Sequence, residues 1–144
     1  KIIPHAIFGL EKFNLEGVDG EAIDWRNFGS WMYNNLLMGT DELSKETVAK
    51  IKAMVGGEED AIEKAKIVYD FVQKKSRYVS IQVGIGGWKP MLASDVDRVG
   101  YGDCKALTNY TKALLNVVGV PSYNTLLYRN PTKTNIESDF VKYI

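Results

Sequence analysis

The stretch that most restricts how this chain can fold runs from Gly100 to Pro121, Gly-Tyr-Gly-Asp-Cys-Lys-Ala-Leu-Thr-Asn-Tyr-Thr-Lys-Ala-Leu-Leu-Asn-Val-Val-Gly-Val-Pro. Gly100 and Gly102 loosen the backbone, and Asp103 is a residue type that caps helices by accepting a hydrogen bond from a first-turn amide. Cys104 then becomes the first helical residue. From it, Leu107, Tyr110, Thr111, Leu114, Leu115 and Val118 recur at spacings of three and four and form one apolar stripe, which Gly119 and Pro121 close. The only cysteine of the chain therefore opens a helix. There, unpaired amides and the positive end of the helix dipole favour a thiolate, the form a nucleophile needs. The carboxylate of Asp103 opposes this unless its charge is engaged as the cap.

Composition narrows the classes. A chain of 144 residues is long enough for one real core and short for two complete ones. Lys plus Arg and Asp plus Glu number 18 each, so the formal net charge is zero and the electrostatic reason to expect nucleic acid or an anionic membrane surface is removed. One cysteine forms no internal disulfide and is compatible with either side of a membrane. No apolar run approaches the roughly twenty residues of a membrane span, and no signal-peptide pattern opens the chain. The start on Lys1 and the stop on Ile144, inside an apolar-polar pattern, read as the ends of an excised piece of something longer.

Taken in order, residues 1–20 read as an extended connector or the tail of a preceding domain, punctuated by Pro4, Gly9, Gly17 and Gly20. Asp24 is the expected cap of a helix to about Met38, with Trp25, Phe28, Met32 and Leu36 on one side and Gly39 at the stop. Ser44 caps a second helix carrying Val48, Ile51 and Val55 inward to Gly56-Gly57. Asp60 with Glu63 has the spacing of a reciprocal cap, followed by Ala61, Ala65, Val68 and Val72 as a stripe and by Lys74-Lys75 at the negative end. The period then becomes alternating. Positions 79, 81, 83 and 85 are apolar while Ser80 and Gln82 face away, which predicts a half-buried extended segment to Ile85. Gly84, Gly86, Gly87 and Pro90 form a loop presenting Trp88, without the spacing of a phosphate-binding loop. Met91 to Val99 reads as a polar loop, Ser122 to Tyr128 as a strand, and Asp139 to Ile144 as the start of another. No repeat or low-complexity segment interrupts this order.

Three segments together carry a resemblance. Gln73-Lys-Lys-Ser-Arg-Tyr78 ends a helix, Gly84-Ile-Gly-Gly-Trp-Lys-Pro90 forms the glycine-rich loop, and Gly102-Asp-Cys-Lys-Ala-Leu-Thr-Asn-Tyr-Thr-Lys-Ala-Leu-Leu precedes Gly119-Val-Pro-Ser-Tyr123. In combination these resemble the transglutaminase-like superfamily, and more narrowly its bacterial envelope branch, in which a β-rich domain of unknown function precedes the core. The resemblance is strong over about 58–128 and makes Trp25 to Met38 the helix leading into that core. It implies an α+β, papain-like core fragment in residues 21–144, helices plus the start of an antiparallel sheet, with 1–20 left from the preceding domain. It also implies an envelope or periplasmic location, which nothing in the composition addresses.

The activity implied is acyl transfer from an amide of a protein or peptide substrate through a thioester on Cys104, as hydrolysis or as transfer to an amine. The same fold without its triad would be a non-catalytic binding or scaffold module. The backbone amide of Cys104 is an expected oxyanion donor, with Trp88 and Gln82 as further candidates for an oxyanion or cleft role and Asp103 as the cap. In such families a histidine and an aspartate follow on later strands. The one histidine, His5, precedes the helices and reads as a surface or linker residue, and Asp139 has no triad role. The fragment alone is therefore expected to be inactive. Asp95 and Asp97 have no histidine or cysteine at ligand spacing and read as a solvated loop, so neither metal nor cofactor is expected. A strand edge near Thr125 to Tyr128 would invite pairing with another chain.

Overall fold

Four short polar side chains start the long helices, each accepting a hydrogen bond from a backbone amide of the first turn. Asp24 takes the Asn27 amide to open α1 (Trp25–Met32), and Ser44 takes that of Thr47 to open α2 (Lys45–Val55). Asp60 takes those of Ile62 and Glu63 to open α3 (Ala61–Lys75), and Asp103 takes that of Ala106 to open the helix Cys104–Val117. A capping side chain is worth about 1 kcal/mol, and all four starts fall where the sequence places them. The reciprocal half of the third cap does not. Glu58 Oε1, not Glu63, takes the backbone N–H of Asp60 at 2.9 Å, while Glu63 is drawn to Lys66 at 2.6 Å.

The computed structural model describes residues 6, 8–127 and 141. They form an α+β protein in two compact units, 1–36 with 127–144 and 37–126. In the first unit the expected connector contains a β-hairpin, β1 (Lys12–Leu15) against β2 (Val18–Glu21), antiparallel with Leu15 opposite Val18. Its two-residue loop needs positive φ at both positions, and Glu16 and Gly17 adopt +50° and +85°. Phe13 and Trp31 pack edge to face with centroids 4.7 Å apart, over a small core of Ala22, Phe28 and Val141. Beyond α1 the expected run to Met38 continues only as a π-helical turn over Tyr33–Leu37.

The second unit is a helical layer. Its core joins Ile51 of α2, Val68, Phe71 and Val72 of α3, and Ala106, Tyr110, Ala113 and Leu114 of the cysteine helix. It also takes Ala93 and Val96 from a helix that the sequence reading takes for a loop, α4 (Ala93–Val99). The seven residues of α4 have no side-chain cap and carry three charged groups, so only their packing marks them as helical. The extended segment expected to Ile85 is also shorter. Only Arg77–Tyr78 (β3) is a strand, paired in parallel with Tyr101–Gly102 (β4), and a 3-10 turn occupies Gly84–Gly87. Val83 is consequently exposed instead of inward. After the cysteine helix, here α5 (Cys104–Val117), residues 122–127 form no strand, and Tyr123, Leu126 and Leu127 are exposed. The expected edge is thus absent there. Tyr128 and, apart from Val141, the proposed strand at Asp139 to Ile144 lie outside the described residues.

Candidate functional site

Cys104 is placed by main chain on one side and by a cap on the other. β3 holds β4 through the Arg77 amide on the Gly100 carbonyl at 3.1 Å and the Val79 amide on the Gly102 carbonyl at 2.9 Å. Gly100 closes α4 at φ +69°, a left-handed conformation that glycine adopts without strain. Gly102 is glycine for a different reason. A Cβ there would lie 2.8 Å from the Cβ of Ala106, so only its bare backbone lets β4 turn into α5 at this separation. The thiol emerges exposed at the next turn of the chain.

Asp103 beneath it is 4% exposed. One carboxylate oxygen accepts the Ala106 amide at 3.0 Å and the other is bonded to the Lys105 ammonium. The charge that would oppose a thiolate is thus answered twice, by a cap amide and by a cation. The amides of Cys104 and Lys105 are first-turn donors with no intrahelical acceptor, and among the described residues neither has another partner. An exposed thiol beside two free N–H donors can attack a carbonyl carbon and hold the oxygen that becomes negative.

Of the other candidates, Trp88 and Gln82 take no part in the hydrogen bonds around Cys104 among the described residues. Trp88 follows the 3-10 turn half-buried, its amide on the Ile85 carbonyl at 2.9 Å, and its indole N–H has no acceptor among the described residues. Gln82 is exposed, and no hydrogen bond joins either residue to Cys104 among those described. His5 and Asp139 lie outside the described residues. No group of three metal-ligating side chains occurs among the described residues.

Two features escape sequence reading. The first is a groove of about 580 Å³ between α3 and α5, lined by Val72, Gln73, Thr108, Thr111, Leu115 and Tyr123 among others. Thr108, Thr111 and Leu115 follow Cys104 at four, seven and eleven residues, so they continue its face of the helix, although the thiol is not part of the lining. The inward face is rotated from the expected stripe onto Ala106, Asn109, Tyr110, Ala113 and Leu114, which leaves Leu107, Leu115 and Val118 at the margin.

The second is a polar knot. Asp97, expected in a solvated loop, accepts the Tyr110 hydroxyl at 2.5 Å, the Thr47 hydroxyl at 2.7 Å and the Lys75 ammonium, and so joins all four helices of the unit. Burial pushes its carboxyl up, but the bonds from Lys75, Tyr110 and Thr47 outweigh that and hold it below its ordinary value. Tyr110 moves the other way, well above the usual tyrosine range, first by burial and then by the Asp97 charge. Asp95 pairs instead with Arg98 at the surface. Asn109, also buried, donates to the carbonyl of Thr40 at 2.8 Å and fixes α5 to the segment before α2.

The class defined by fold and site is an α+β protein whose cysteine helix, bundled with three others, presents an exposed thiol at its start. Part of its fold matches part of a solved structure from Parabacteroides distasonis described as a putative protease, with a TM-score of 0.50 and 20% identity. That match covers 59% of this chain but only 17% of the other, so the chain spans about one sixth of that protein's length. No family model matches the chain, and no curated protein matches it significantly. No helix among the described residues is long and apolar enough to cross a membrane.

Proposed function

We propose that this chain is the helix-rich part, from about residue 21 onward, of a transglutaminase-like cysteine enzyme that hydrolyses amide bonds in proteins or peptides, with Cys104 as nucleophile. The observation that carries the reading is the exposed thiol at the first position of α5 beside two unpartnered amides. In the reaction, Sγ bonds to the amide carbon, the oxygen draws on the amides of Cys104 and Lys105, and the amine leaves with a proton. Water then cleaves the thioester to a carboxylic acid and regenerates the thiol. An amine in place of that water would make the enzyme an acyltransferase. The three-segment resemblance and the shared fold of a structure described as a putative protease support the same class. An envelope setting and a preceding β-rich domain rest on the resemblance alone.

Residues 37–126 contain no histidine, so the unit that holds the thiol supplies no imidazole base. This favours, as a second reading, a non-catalytic binding module. The test separates the thiol from the base. An activated peptide thioester needs no acid to expel its leaving group, so it acylates Cys104 by thiol exchange, visible as a mass increase that hydroxylamine reverses. Cys104→Ser abolishes the increase, and the 144-residue chain turns over no peptide amide. If iodoacetamide labels the thiol fully while the thioester never does, the nucleophile assignment is wrong. Amide turnover by a longer form carrying Cys104→Ser would remove it as well.

A further inference from the structure

The first unit contains a groove of about 600 Å³ that plays no part in the proposed chemistry at Cys104. Its walls are unusually rich in groups that read hydroxyls. Asn27, Ser30 and Asn34 line it from α1 and the turn beyond, Glu21 from β2, and Phe13 and Trp31 supply rings. The rings are fixed in place. Trp31 Nε1 donates to the Asp19 carbonyl at 2.8 Å, and Phe28 stacks parallel to the indole with centroids 6.2 Å apart. Gly20 permits this closeness, since a Cβ there would fall 2.4 Å from Phe13 Cζ and 2.8 Å from Trp31 Nε1.

One polar atom is unfinished. Asn27 Oδ1 is buried without a hydrogen-bond partner among the described residues, while the backbone amide of Asn27 is held by Asp24 at 2.6 Å. A buried acceptor left unpaired is unfavourable, and a rotation of the carboxamide toward a ligand hydroxyl would relieve it. Charge selects further. Lys12 and Glu21 are 3.9 Å apart and offset one another, which leaves the lining Asp19 carboxylate to repel an anion. An apolar ligand would strand the carboxamides.

We propose that this groove binds a neutral polyhydroxylated ligand, a short oligosaccharide whose hydroxyls pair with Asn27, Ser30 and Asn34 while its C–H groups lie against Trp31 and Phe13. Neither the thiol nor its reaction is needed for this binding. The test is a titration of the isotope-labelled 144-residue chain with triacetylchitotriose, cellotriose and maltotriose, each to about 20 mM, well above a Kd of about 1 mM. At least one shifts the Trp31 indole N–H and the Asn34 carboxamide resonances saturably. Asn34→Ala and Asn27→Ala each weaken that binding about tenfold, the loss of one well-made hydrogen bond. Glu46→Gln, a change within the second unit, leaves it unchanged. The proposal is overturned by silence from all three sugars, by shifts indifferent to both asparagine variants, or by trigalacturonate or a glycine-rich tripeptide binding as well as the best neutral sugar.

Discussion

Replacing Asp97 by alanine removes the acceptor of three donors from three other helices, and its cost follows from how deeply each is held. Tyr110 is completely buried, so its hydroxyl loses its partner where no water reaches, at about 1–3 kcal/mol. Breaking a fully buried ion pair by removing one member costs about 3–5 kcal/mol. The side chains of Lys75 and Asp97 are 27% and 17% exposed, so the freed ammonium recovers part of its hydration and the lower end applies. Together these give about 4 kcal/mol, with Tyr110→Phe costing about 1–2 and the pair coupled, because both remove one bond. Urea unfolding supplies the totals, and amide exchange at Leu114 assigns the loss to the second unit. A loss under about 1 kcal/mol, or strict additivity of the two substitutions, would refute the claim that this carboxylate ties the bundle.

The same knot sets the pH limits of stability. The folded carboxyl of Asp97 is held below its ordinary 3.8, so its contribution is complete above that value and is lost as pH falls further. Tyr110 is raised above its ordinary 10.0, so its contribution is complete below pH 10 and is lost as alkali ionises the unfolded chain first; melting curves of wild type and Tyr110→Phe converge there. Gly102→Ala forces a methyl to 2.8 Å from the Ala106 side chain and is expected to cost about 1–3 kcal/mol by thermal melting, with slower alkylation of Cys104 as α5 is displaced. Lys105→Met strips one neutralising partner from Asp103 and slows iodoacetamide labelling of Cys104 about three- to tenfold at pH 7 and low salt, an effect that 1 M salt reduces. Asp60→Ala costs about 1 kcal/mol, whereas Glu63→Gln is nearly neutral, since Glu63 only meets Lys66 at the surface.

What the sequence discloses here is what is local. Asp24, Ser44, Asp60 and Asp103 each act on amides two or three residues ahead, so one pass along the chain finds them. The hairpin is just as local but uses Glu16-Gly17, a pair with weaker left-handed preference than the usual asparagine or aspartate with glycine. Alternation at Val79 to Ile85 mimics a strand, yet β4 offers only two residues to pair with, and the chain turns into a 3-10 helix instead. The Asp97 knot could not be read at all, because its partners lie 13, 22 and 50 residues away and meet only when the helices pack. At the site, the place of Cys104 at the helix start was legible, while its exposure, the pairing of Asp103 with Lys105 and the groove along α5 depend on how the chain packs.

The short pairing of β3 with β4 bears on how freely this protein can vary. It positions the thiol through amide and carbonyl groups that every sequence possesses, and the side chains of Arg77 and Tyr78 point to solvent. Only Gly100 and Gly102 are tied by stereochemistry. Arg77 and Tyr78 are therefore open to substitution without moving the sulfur, and a library randomised at those two positions should keep the start of α5, and Cys104 with it, in place.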